Sequence, residues 1–145
     1  MTLGFVLDTN VLSELMRDNP APAVMSWLDS HDEQSLHTTA VTQAEILAGI
    51  AVLPEGRRRD ALATGAEQLF KQDFSGRCLV FNSAAAEHYA MVRAQRQRAG
   101  KPISTEDALI AAIALAANFC LVTRNVKDFE CLDVRLINPW DDQGA

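Results

Sequence analysis

Three carboxylates stand out by where they fall. Asp8, Glu45 and Asp107 each lie at the end of a predicted element, among alanines, leucines and isoleucines. Asp8 follows the apolar run Gly4-Phe5-Val6-Leu7, and Thr9-Asn10 leads directly into a segment with helical spacing. This reads as a strand that ends on an acid at a strand-to-helix turn. In open α/β sheets, ligands bind outside the carboxyl ends of strands. Glu45 falls early in the helix predicted after a second strand, and Asp107 in the first turn of the most apolar helix, Ala108 to Ala117. Unpaired charge among apolar neighbours is expensive. Carboxylates drawn together there repel, and one stays protonated unless a cation intervenes. A divalent ion resolves the conflict, and oxygen donors with no Cys or His beside them point to Mg2+ or Mn2+ rather than zinc.

Each acid also has a purely structural role open to it. Asp8 or Thr9 can cap the next helix through a side-chain oxygen. Thr42 and Glu45 have capping-box spacing, as do Ser104 and Asp107, and an acid in a first turn suits the helix dipole. Singly, these roles compete evenly with a chemical one. Jointly they explain less well why all three acids sit in apolar surroundings.

The elements that must position these acids alternate along the chain. Strands are predicted at Gly4–Leu7, Ser35–Thr39, Cys78–Phe81, Phe119–Thr123 and Val134–Ile137. Helices are predicted at Val11–Met16, from Pro22 through Leu28, over Ala40–Leu53, from Arg57 to Phe70, from a Ser83 cap through Arg98, and over Ala108–Ala117. Val126–Phe129 reads as a short helical turn, and residues 141–145 as a frayed tail. Alternating strands and helices imply a parallel sheet covered on both faces, in one domain over residues 1–140.

Composition narrows the function classes. Of 145 residues, 48% are apolar, enough for one sizeable core. No apolar run reaches the ~18 residues of a membrane span. The start of the chain shows no secretion pattern, so the expectation is a cytoplasmic protein. The three cysteines, Cys78, Cys120 and Cys131, form no CxxC pair. The net charge of −6 argues against a passive nucleic-acid binder, but not against an enzyme whose acidic pocket holds cations. The best candidate for a basic path is Arg93, Arg96 and Arg98 with Lys101, although cations near a helix C-terminus also suit the dipole. Arg57-Arg58-Arg59 reads as a solvated helix start. His31 is expected to face solvent, His37 reads as structural, and His88, mid-helix among alanines, reads as packed or exposed rather than catalytic.

Four stretches together carry a resemblance: Leu7-Asp8-Thr9-Asn10, Thr42 to Ile50, Asp107 to Ala112, and Leu121-Val122-Thr123-Arg124-Asn125. In this order, spanning Gly4 to about Pro139, they resemble PIN-domain ribonucleases, specifically VapC-like toxins of toxin–antitoxin pairs. The resemblance implies a three-layer α/β/α fold with a five-stranded parallel sheet. It also implies Mg2+-dependent endoribonuclease activity, a homodimer, and a small cognate antitoxin that blocks the site. By position, Asp8, Glu45 and Asp107 match the family's three core acids. The fourth acidic position falls on Asn125, with Asp128 three residues further on, which leaves the site one charge lower. Asp8 and Asp107 would then hold the metal. Glu45 would complete its shell or orient the attacking water, and Asn125 would position water or phosphate.

Two other readings stay open. A phosphoacceptor signalling module shares a similar sheet, but needs a lysine that does not follow the fifth strand. A catalytically silent PIN fold acting only in binding is the other, and the three acids argue against it.

Overall fold

The computed structural model describes residues 3–141, so residues 142–145 of the expected tail lie outside the described residues. Five parallel strands form one sheet in the order β3-β2-β1-β4-β5. They are β1 (Phe5–Leu7), β2 (Leu36–Thr39), β3 (Cys78–Leu79), β4 (Cys120–Val122) and β5 (Leu136–Ile137). Six α-helices connect them: α1 (Thr9–Leu15), α2 (Pro22–Asp29), α3 (Ala40–Ala51), α4 (Arg57–Gln68), α5 (Ser83–Arg98) and α6 (Thr105–Ala117). The expected α/β class and five-stranded parallel sheet are borne out. β3 and β5 are shorter than predicted, and Val80 and Phe81 stand exposed beyond the end of β3.

Side chains alternate across a strand, and that alternation builds the layers. Phe5 and Leu7 of β1, with Cys120 and Val122 of β4, pack against Val11, Leu12, Trp27, Ile46 and Phe70. Val6 and Leu121 point the other way, onto Val92, Ile110, Ala111 and Ala114 of α5 and α6, with Phe129. The apolar character of α6 follows: Ala108 and the run Ile110–Ala114 are buried. Asn118 ends α6 in the left-handed conformation at φ 59°, which Asn tolerates better than most residues. Gly4 is needed for close approach, because a Cβ there would lie 2.3 Å from the Phe119 ring.

The chain leaves β1 toward β2 and β3, then returns to the other side of β1 for β4 and β5. The order therefore reverses between β1 and β4, where a crevice opens at the carboxyl ends of the strands. The backbone N–H of Asp8 donates to Val122 O at 2.9 Å, pinning the two strand ends together beneath it.

Three expectations need correction. The cap of α5 is Asn82, whose side chain accepts from Ala85 N, not Ser83; the Asn amide oxygen takes the orphan N–H one position earlier. His31 does not face freely into solvent. Its ring lies 4.1 Å from that of Trp27 and its Nδ1 bonds Trp27 O at 2.7 Å. The candidate basic path of Arg93, Arg96, Arg98 and Lys101 is broken in the middle. Lys101 pairs with Glu130 at 3.0 Å, and only Arg98 stands exposed without a bonded partner among the described residues. Arg96 is buried, and its Nη1 donates to Lys127 O at 3.3 Å and Glu130 O at 2.9 Å. Arg93 donates to Ile103 O at 3.0 Å and stands over Tyr89. Both donate to backbone carbonyls, Arg96 from a buried position and Arg93 from an exposed one. Arg96 thereby fastens α5 to the turn Val126–Phe129, which carries Asp128.

Candidate active site

Asp8 is both a helix cap and something more. It is the N-cap of α1, its Oδ1 accepting from Thr9 N at 2.8 Å. Its Oδ2 faces away from that helix end and accepts from Thr123 Oγ1 at 2.7 Å and from Asn10 Nδ2 at 3.2 Å. The residue is only 4% exposed. Burial pushes its carboxyl above the ordinary value; the bonds from Thr123, Thr9 and Asn10 pull it back, and the charge of Asp128 adds to the rise.

Asp107 opens α6 across the crevice. The cap of this helix is Ser104, whose Oγ accepts from Asp107 N at 3.1 Å. The cap oxygen is thus supplied by Ser104, which leaves the Asp107 carboxylate for another role. Partial burial pushes that carboxylate up to about 6, with the charges of Asp8, Asp128 and Glu45 adding to the rise and a bond from Ser104 opposing it. Asp8, Glu45 and Asp128 therefore all bear on Asp107.

Glu45 enters differently from its expected capping box. Helix α3 starts at Ala40, and its cap is Thr39, whose Oγ1 accepts from Thr42 N at 3.0 Å. Thr42 lies inside the helix, so no Thr42–Glu45 box forms. Glu45 Oε1 instead accepts from Thr9 Oγ1 at 2.6 Å, and Thr9 Oγ1 lies 3.0 Å from Thr42 Oγ1. The residue after Asp8 thus sets the carboxylate of the neighbouring helix. Asn125 follows β4 with an exposed side chain, while its N–H donates to Thr123 Oγ1 at 3.1 Å.

Asp8, Glu45, Asp107, Asn125 and Asp128 line one open cavity of about 500 Å³, with Arg124 and Trp140 also on its wall. All four residues singled out from the sequence are brought together. A separate cavity of about 240 Å³ lies at the opposite rim, beside Leu3 and Asn118, and has no comparable set of acids.

The sequence reading missed the residues that hold the acids in place. Thr123 is fully buried and contacts Asp8, Asn10 and Asn125 N. Asn10 reaches Asp8 and Thr123 with its amide nitrogen, and accepts from Arg124 N at 3.1 Å with its oxygen. Both lie within the quoted motifs, so the signal was a polar residue directly beside a candidate acid at a strand end.

The donor set suits a hard cation. Among the described residues, no Lys or Arg comes within ion-pair distance of Asp8, Glu45, Asp107 or Asp128. No group of three acidic, His or Cys side chains is already drawn to ligating distance among the described residues. The residues that would hold such an ion are Asp8 and Asp107; Mg2+ is bound through one or two carboxylates with waters and substrate phosphates completing its shell. Asp8 and Asp107 are the pair whose burial most disfavours their uncompensated charge.

The PIN-domain family model matches residues 5–133. A plasmid stability protein, StbB, of Pseudomonas syringae pv. tomato is 40% identical over 94% of this chain and 98% of its own. The VapC ribonuclease Y4jK of Sinorhizobium fredii is 39% identical over 94% of this chain and 97% of its own. Among solved structures, the FitAB complex bound to an IR36 DNA fragment superposes with a TM-score of 0.88 at 36% identity, covering 96% of this chain and 97% of the other. A shared sheet, a shared family pattern and near-complete coverage at this identity lead to one conclusion: the chain belongs to the PIN-domain family, in its VapC/FitB-like group.

Proposed function

We propose that this protein is a metal-dependent endoribonuclease, the toxin of a toxin–antitoxin pair. The observation that carries the reading is the electrostatic state of two residues. Asp8 is a buried carboxylate with no cationic side chain against it among the described residues, and its charge helps hold Asp107 at about 6. Two carboxylates so placed repel one another, and a cation between them would relieve that repulsion. The ribonuclease relative supports the choice of substrate.

In this reading Asp8 and Asp107 hold Mg2+, with Mn2+ an alternative. When bound, the ion lowers the pKa of a coordinated water and stabilises charge on the phosphoryl oxygens. Thr123 and Asn10 orient the Asp8 carboxylate, which would hold the ion together with Asp107. Glu45, anchored through one oxygen to Thr9, completes the shell or orients the attacking water with the other. Asn125 positions water or phosphate by hydrogen bonds. The water oxygen would bond to phosphorus as the bond from phosphorus to the leaving ribose oxygen breaks, the water giving up a proton to solvent and the leaving oxygen taking one from it.

The phosphoacceptor reading loses its footing, because the cations on this cavity are arginines and no lysine lines it among the described residues. Residues 1–140 act as one nuclease unit, a homodimer in solution, inhibited by a small cognate antitoxin. No described helix is long and apolar enough to cross a membrane, in keeping with a cytoplasmic site of action. The test is incubation of the purified protein with structured and unstructured RNA. Internal cleavage in Mg2+ that stops in EDTA and returns with added Mg2+ supports the reading. Intact RNA under all conditions rejects it, as does cleavage indifferent to EDTA.

A further inference from the structure

The acidic cavity raises a problem that the carboxylates cannot solve. A chain of net charge −6 must hold a polyanion against a wall of acids, and Arg93 and Arg96 of α5 donate to carbonyls of Ile103, Lys127 and Glu130 and do not line this cavity.

Arg124 is placed to do this. It is exposed, lines the same cavity as Asp8 and Asp107, and has no carboxylate within ion-pair distance among the described residues. Arg17, the other arginine on the cavity, pairs with the buried Glu14 at 3.4 Å. The backbone of Arg124 is held from both sides: its N–H donates to Asn10 Oδ1 at 3.1 Å, and its carbonyl accepts from Asn138 Nδ2 at 3.3 Å. Asn10 also donates to Asp8 Oδ2, so one side chain sets Arg124 relative to the acid. The guanidinium stands over Trp140, 5.0 Å from the ring centroid, and Trp140 N donates to Asn138 Oδ1 at 2.9 Å. A cation resting on an indole face is oriented without its N–H donors being consumed. A guanidinium so presented matches the oxygens of a phosphate.

Resting on the ribonuclease reading, we propose that Arg124, seated on Trp140, binds a backbone phosphate of the RNA next to the scissile one. It is a substrate-binding residue of the cavity, and Trp140 and Asn138 position it.

The test uses the full chain carrying Asp8→Asn, so that RNA survives the measurement, and a fluorescein-labelled single-stranded oligouridylate as probe. Binding is followed by anisotropy across a KCl series. Arg124→Gln should weaken binding and flatten the log–log salt dependence by about 0.7, the value for one lost contact on a single strand. Arg124→Lys should retain the slope, because charge is conserved. Arg93→Gln should leave it unchanged. With Asp8 restored, Arg124→Gln should raise KM by roughly tenfold or more, the loss of a charged hydrogen bond, and by more than it lowers kcat. If Arg124→Gln unfolds, Arg124→Met read by the same titration takes its place. A slope for the Gln or Met variant equal to the parent's overturns the assignment. So does a Lys variant that behaves like Gln, or a background that binds no RNA. Failure of the parent to cleave RNA in Mg2+ would reject the ribonuclease reading, while the binding titration judges Arg124 by itself.

Discussion

The hydroxyl of Thr123, just after β4, donates to Asp8 Oδ2 across 2.7 Å, joining the ends of β1 and β4 at the point where the strand order reverses. The Thr is fully buried and its oxygen also meets Asn10 Nδ2 and Asn125 N. One hydroxyl therefore orients the principal acid and secures the loop that follows β4. Thr123→Val keeps the shape and removes the bonds. A buried bond to a charged group is worth about 1.5–3 kcal/mol, and a lost ligand-orienting partner costs about 10–100-fold in activity or metal affinity. Thr123→Val should show losses of both kinds, by thermal melting and by Mg2+ titration of cleavage. Wild-type values in both would show that the bond does not matter.

The raised state of Asp107 makes a signed prediction about pH. Its carboxyl lies at about 6, against 3.8 for the free group. Between those values the folded protein binds more protons than the unfolded chain, so this group makes metal-free stability fall as pH rises through that window. Cleavage should do the opposite at limiting Mg2+, falling as pH drops through about 6, because a protonated Asp107 cannot hold the ion. The charge of Asp128 contributes to the rise. Asp128→Asn should shift the acid limb to lower pH; an unmoved limb would mean that Asp128 does not act on the site.

Asp107→Asn separates the chemical from the structural role of that acid. The cap oxygen of α6 comes from Ser104 and accepts from the Asp107 backbone N–H, which the variant keeps, while the Asn amide oxygen can still accept from the Ser104 hydroxyl. Removing the charge relieves repulsion from Asp8. Without metal the variant should melt at the parent's temperature or above it. A loss of about 0.5–2 kcal/mol, the usual cost of a cap, would return Asp107 to a helix-terminating role.

Much of this was legible in the sequence, for a physical reason. Asp8 and Asp107 announce themselves because a carboxylate beside Val, Leu and Ile is out of place unless something compensates it. The strand-helix alternation then places their elements in one sheet. What stayed hidden depends on tertiary neighbours. Nothing local to Arg93 and Arg96 reveals that they will donate to the carbonyls of Ile103, Lys127 and Glu130. Nothing local to Thr42 reveals that Thr39 has already capped the helix and that Glu45 will turn to Thr9. Capping-box spacing recurs by chance in any helix rich in Thr and Glu, so only the observed start of the helix decides it.

Arg96 carries a further expectation. It is 5% exposed and fastens α5 to the turn bearing Asp128. Arg96→Met leaves two carbonyls without that partner. Stability should drop by roughly 1–3 kcal/mol in denaturant titration, with RNA binding in the metal-free Asp8→Asn background unaffected. A weakened, flatter salt dependence of RNA binding with no loss of stability would instead make Arg96 a phosphate contact.

The most direct test of the account is Asp8→Asn, assayed for RNA cleavage across a Mg2+ titration beside the parent, with circular dichroism and melting to establish that both are folded. The amide keeps the acceptor for Thr9 N and the size of the side chain while removing the charge that would hold the ion. The account predicts no cleavage at any Mg2+ concentration in a folded variant. Cleavage at the parent's rate, with the parent's Mg2+ dependence, would contradict it.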